Sequence, residues 1–75
     1  MKAYVLINAS PGHAIDVASA MQGVQGITAA DAITGEYDVI AVCEAADVNG
    51  IGQLIVDKIQ KIEGVFKTIT CLAIQ

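Results

Sequence analysis

The chain has no arginine and only four lysines, Lys2, Lys58, Lys61 and Lys67, against eight acidic residues, for a formal net charge of -4. That balance argues against direct nucleic-acid binding by this chain, because neutralising phosphates requires a basic face. Cysteine and histidine are scarce too, and Cys43, Cys71 and His13 fall at no spacing that suits a metal site or a redox motif. No metal and no cofactor is expected. Long apolar runs are also missing, since charged, glycine or polar residues interrupt each one well before the roughly 18 positions of a membrane-spanning helix. Lys2 leads into a short strand-like run, which predicts no signal peptide. The expectation is a cytoplasmic protein with no membrane partner, in which Cys43 and Cys71 are buried free thiols.

What the chain does have is apolar surface. Its 75 residues make one domain, 1–75, near the size at which a lone core is barely sufficient. Yet 55% of them are hydrophobic and only 16% charged, with a mean hydropathy of +0.60. So small a globule cannot hold that much inside, and self-association is the economical outcome.

Residues Ala3 to Ala9 predict a first strand with Val5 and Ile7 on one side and Tyr4 and Leu6 on the other, apolar on both faces. Ser10-Pro11 then supplies an N-cap and a proline at the first helical position, opening a helix whose Ala14, Val17, Ala18 and Met21 form one stripe. Gly23 and Gly26 end it. Ile27 to Thr34 predict a second strand, where Asp31 suits an exposed edge. Val39 to Ala46 predict a third, apolar on both faces and therefore central. Asp47 caps a second helix of about fifteen residues, with Val48, Ile51, Leu54, Ile55, Ile59 and Ile62 at helical spacing. Gly64 closes it before a last strand, Val65 to Ile74, with Lys67 as its edge charge.

The two halves echo each other, each a βαβ unit, and the right-handed crossover rule puts both helices on one face of a four-stranded antiparallel sheet. The predicted fold is α+β, ferredoxin-like, βαββαβ, with strand order 4-1-3-2. Two helices cover one face only, so the other predicts a second copy packed sheet to sheet, a dimeric α/β barrel able to close into larger rings. Between the second and third strands lies the polar break Thr34-Gly35-Glu36-Tyr37-Asp38. Gly35 tolerates the positive φ of a tight turn, and Tyr37 and Asp38 set an aromatic face and a carboxylate beside it.

These residues resemble the effector-binding (RAM) domain of the Lrp/AsnC regulators over essentially the whole chain. The resemblance rests on Ala3-Tyr4-Val5-Leu6-Ile7, on Thr34-Gly35-Glu36-Tyr37-Asp38-Val39, and on Gly64-Val65 followed by Phe66-Lys67-Thr68-Ile69-Thr70. It implies a homodimer that assembles further, to an octamer, with small amino-acid effectors bound in clefts between dimers. Thr34, Gly35, Glu36, Tyr37 and Asp38 would line that cleft, with Thr68 and Thr70 nearby. Asp38 and Glu36 would hold an ammonium group, amides around Gly35 and the threonine hydroxyls a carboxylate, and Tyr37 the apolar stem. Family transcription factors carry a helix-turn-helix domain before this one, whereas this chain begins at the first effector-domain strand. The resemblance is therefore to stand-alone members, which sense amino acids or co-assemble with full-length relatives, and not to an enzyme.

Three other readings compete. An ACT-like amino-acid module would centre its pocket on Ser10-Pro11-Gly12. A small dimeric α/β-barrel enzyme would use His13 as acid or base, with Asp16 beside it, but no partner nucleophile accompanies that histidine. A purely structural assembly module would use the loop only to seal an interface.

Overall fold

The first alternating run becomes strand β1 (Lys2–Ala9), followed in the computed structural model, which describes residues 1–75, by helix α1 (Ala14–Ala20) and strand β2 (Ile27–Ala32). Strand β3 (Val39–Glu44), helix α2 (Val48–Leu54) with a π-helical continuation over Ile55–Ile59, and strand β4 (Val65–Leu72) complete the chain. The sheet order is β2-β3-β1-β4, the expected 4-1-3-2 read from the other edge, with antiparallel neighbours throughout. Asp31 on β2 and Lys67 on β4 are exposed on the two outer strands.

Alternation decides what each strand buries. Ala3, Val5 and Ile7 of β1 sit opposite Cys43, Ala41 and Val39 of β3, and all six are fully buried beneath the helices. Val17, Ala18 and Met21 of the first helix and Ile51, Ile55 and Ile59 of the second close over them. The fourteen buried residues are all hydrophobic, so the core has no buried polar group to satisfy.

The opposite sheet face is apolar and uncovered in the single chain. Tyr4 lies between Val42 and Cys71, and Leu6 between Ile40 and Ile69. None of these six is buried. The accessible surface of 4668 Å² exceeds the roughly 4,300 Å² expected for a folded chain of this mass, as a sheet with one bare face should.

Several local expectations need correction. Ser10 does not cap α1, because its carbonyl accepts His13 N–H at 3.0 Å in a tight turn and Gly12 at φ +81° breaks the path into a helix. The helix starts at Ala14 with His13 in the cap position, making no side-chain capping bond. The second and third strands also stop earlier than expected, at Ala32 and Glu44. Asp47 caps α2 as expected, accepting Gly50 N–H at 2.8 Å. The stripe of that helix reaches the core through Ile51, Ile55 and Ile59, four residues apart, with Leu54 and Ile62 partly buried beside them, while Val48 in the first turn is exposed. Gln60 N–H reaches back five residues to the Ile55 carbonyl at 2.8 Å, the wide turn of the π-helical continuation.

The cysteines divide. Cys43 is buried, and desolvation pushes its thiol pKa up, so it stays protonated and inert. Cys71 is exposed, contrary to expectation, because β4 is an outer strand and this residue faces the bare side opposite Tyr4.

Candidate functional site

The β2–β3 loop is held by four hydrogen bonds, three of them through Asp38, and three of the four reach β1. Asp38 N–H donates to the Ile7 carbonyl at 2.9 Å, and the Asp38 carbonyl accepts Ile33 N–H at 2.9 Å across the base of the loop. The Asp38 side chain accepts Ala9 N–H through Oδ2 at 2.7 Å, a short charge-assisted bond. It falls where the pairing of β1 with β4 shifts register between Asn8 and Ala9. Farther out, Asn8 Nδ2 donates to the Glu36 carbonyl at 3.0 Å. Gly35, at φ +128°, makes the reversal between Thr34 and Glu36. Asn8→Ala should cost at most about 1 kcal/mol, since its bond is exposed. Hydrogen exchange should nevertheless show faster opening at residues 35–37, with β1 amides unchanged.

The expected site residues do not share one wall within a chain. Thr34, Gly35 and Glu36 are exposed and Tyr37 is half-buried, and none of the four borders a cavity. Asp38 does. It closes a concavity of about 230 Å³ whose other walls are Ala9 at the end of β1, Ser10, Pro11 and Gly12 of the turn after it, and Ala14 and Ile15 at the start of α1. Pairing alone did not suggest that combination, which depends on the Asp38 to Ala9 bond across 29 residues of sequence. The visible signal was the Ser10-Pro11-Gly12 turn.

Thr68 lies at the same end of the sheet, because Ile7 is the partner of both Val39 and Thr68. Two strand spacings, roughly 10 Å, separate it from the loop side. Its hydroxyl accepts Gln60 Nε2 at 3.2 Å, and Thr68 borders a smaller hollow of about 160 Å³ with Gln60, Val65, Phe66 and Lys67. Thr70, two pairs farther along opposite Val5, is exposed. His13 is half-buried, and no group of three or more His, Cys, Asp or Glu side chains is arranged to hold a metal.

A ferredoxin-like βαββαβ domain with a bare apolar sheet face and a carboxylate at a turn-walled hollow is the class this architecture defines. Comparison with known proteins gives the family. The Lrp/AsnC ligand binding domain profile matches residues 2–75, and the chain belongs to that family. An uncharacterized HTH-type transcriptional regulator of Pyrococcus furiosus is 27% identical over 74 residues, covering 95% of this chain and 49% of the regulator. The chain thus spans about half the length of the curated relatives it matches. A solved protein of Thermus thermophilus superposes with a TM-score of 0.90 at 27% identity, covering 99% of this chain and 92% of its own. A Neisseria meningitidis transcriptional regulator, solved as a complex with L-methionine, shares the fold with a TM-score of 0.85 at 17% identity, covering 99% of this chain and 49% of the regulator. The curated relatives are HTH-type transcriptional regulators. No helix is long and apolar enough to cross a membrane.

Proposed function

We propose that this domain senses a small amino-acid effector, which binds where dimers meet and adjusts their assembly, and that it acts on transcription regulators of amino-acid metabolism. The observation that carries this reading is the placement of Asp38. Its Oδ2 is held by the Ala9 amide while Oδ1 takes no donor from the chain, leaving a fixed carboxylate edge beside a hollow. An ammonium group is the natural partner for such an edge. At about 230 Å³ the hollow falls below the roughly 300–1,000 Å³ of small-molecule sites, which supports a pocket completed by a neighbouring copy. In that pocket Thr34, Gly35, Glu36 and Tyr37 cover the ligand from one dimer, and Thr68 and Thr70 contribute hydroxyls from another. The L-methionine complex of the Neisseria regulator supports an amino acid as the ligand class.

Sheet-to-sheet pairing through Tyr4, Leu6, Ile40, Val42 and Ile69 forms the dimer, dimers close to an octamer, and full-length Lrp/AsnC relatives are partners for co-assembly. A thermal-shift screen of the twenty amino acids tests the sensing role. A ligand at a hundredfold excess over its Kd adds about 2.7 kcal/mol to stability, so one or a few amino acids should raise Tm by several degrees. Twenty flat responses would leave an assembly module without an effector.

A further inference from the structure

Asparagine occurs as Asn8 before Ala9 and as Asn49 before Gly50. Only the second pair has the sequence in which the following main-chain nitrogen readily attacks the side-chain amide, because glycine carries no side chain to crowd the ring that forms. Asn49 lies in the first turn of α2, exposed on the wall of an open hollow outside the helix, so water reaches its amide. Glycine at position 50 is dictated by packing. A Cβ there would stand 2.9 Å from the Ala45 Cβ, closer than two such carbons approach. The susceptible pair is therefore built into the way α2 leaves β3.

What restrains it is the cap. Gly50 N–H donates to Asp47 Oδ1 at 2.8 Å, and this bond to a carboxylate opposes loss of the proton that the nitrogen must shed. Ile51 N–H donates to the Asp47 carbonyl at 3.1 Å, closing the first helical turn around Asn49 and keeping the Gly50 nitrogen from swinging onto Cγ. Both restraints end on Asp47. The turn they hold is weak, since Gly50 and Gly52 lower its helix propensity and Val48 and Asn49 are exposed, so it opens locally while the core stays folded.

We infer that Asn49 and Gly50 form a self-modification site, a deamidation site latched by Asp47, whose reaction ages the entry to α2. When the cap opens, the Gly50 nitrogen bonds to Asn49 Cγ, and the side-chain nitrogen leaves as ammonia with the proton that Gly50 gives up. Solvent water opens the resulting succinimide at either carbonyl, leaving an aspartyl or an isoaspartyl residue at position 49. The steps need water and no oxidant. The isoaspartyl form lengthens the main chain by a carbon, so the Gly50 and Ile51 amides no longer reach Asp47. Ile51, the first residue of α2 buried in the core, loses the anchor that seats it. The aspartyl form keeps the helical path. This site lies at the end of the sheet where Lys2 pairs with Glu44, away from Asp38 beside the Ile7 and Val39 pair, and stands apart from the effector reading.

The test is ageing of the full 75-residue chain at neutral pH, with isoaspartate counted by enzymatic methyl transfer and the site located by fragment mass. Position 49 should convert, and Asn8, in β1 with its Nδ2 bonded to the Glu36 carbonyl, should not. Asp47→Ala should raise the rate about fivefold, the factor by which losing an N-cap shifts the opening of a helix end. Asp47→Ser, which keeps an oxygen for the Gly50 amide, should age as the wild type does. So should Asp38→Ala, destabilised at the other end of the sheet, whereas wild-type chain unfolded in urea should convert fastest. The isoaspartyl fraction, separated by ion exchange, should melt below Asn49→Asp, which adds the charge without lengthening the chain. No conversion in folded wild type or Asp47→Ala while the unfolded chain converts would overturn the inference. An Asp47→Ala rate equal to that of the wild type, or to that of Asp47→Ser, would do the same. Equal acceleration by Asp38→Ala would trace the reaction to global unfolding and contradict the latch. An isoaspartyl fraction that melts with Asn49→Asp would contradict the ageing of α2.

Discussion

Leu6→Asp is expected to leave the protein monomeric at concentrations where the wild type is assembled. Leu6 lies at the middle of the bare sheet face, between Ile40 and Ile69, and is only half-buried in the single chain. Sheet-to-sheet pairing would bury it in both copies. Removing a buried leucine forfeits about 1.5–3 kcal/mol per copy, roughly 3–6 kcal/mol for the dimer, before any cost of desolvating the new carboxylate. At 1.4 kcal/mol per decade that weakens association by about 10²–10⁴-fold. The helix-side core, with Val5 and Ile7 pointing the other way, is untouched, so the circular dichroism spectrum should remain that of an α+β fold. Sedimentation velocity of the variant reads the result, and an unchanged dimer would remove the sheet face from the interface.

Asp38→Ala should have the second largest effect, because two roles end at once. The Ala9 amide loses its acceptor, at a cost of about 1–3 kcal/mol for a partly buried donor, and the ligand loses its counter-charge. Asp38→Asn separates them, retaining an acceptor for Ala9 while removing the charge. Chemical denaturation should therefore rank stability as wild type, then Asn, then Ala. Effector affinity should fall in both variants, by tenfold or more. The dimer should survive in both, since Asp38 lies at the end of the sheet and not among the residues of its bare face. If Asn binds the effector as wild type does, the carboxylate has only its structural role.

The fold was legible because strands and helices advertise their faces at short range. Both-sided apolar runs at Ala3 to Ala9 and Val39 to Ala46 identified the two central strands, and Asp31 and Lys67 marked the outer ones. The helix start was misplaced because Ser10-Pro11 satisfies the rules for a helix entry and for a turn alike. Gly12 at positive φ and the Ser10 to His13 bond decide between them. The π turn at Ile55–Ile59 leaves no mark in the spacing of isoleucines, since Ile51, Ile55 and Ile59 stay four residues apart and all are buried. Cys71 was placed inside because alternation tells which residues share a face, not whether anything covers that face. At the site, Gly35 and Asp38 could be singled out as turn chemistry. That Asp38 would close a hollow with Ser10 to Ile15 depends on a contact between segments far apart in sequence, which no local pattern encodes.

The central claim is that an amino acid binds between copies of this domain and alters how they assemble. Sedimentation equilibrium of the wild-type protein, with and without the amino acid that most raises its Tm, tests this directly. The account predicts dimers or larger species without ligand and a shifted mass distribution with it, at ligand concentrations that match the thermal response. A monomer under both conditions, or an assembly whose mass is indifferent to a ligand that demonstrably binds, would contradict it.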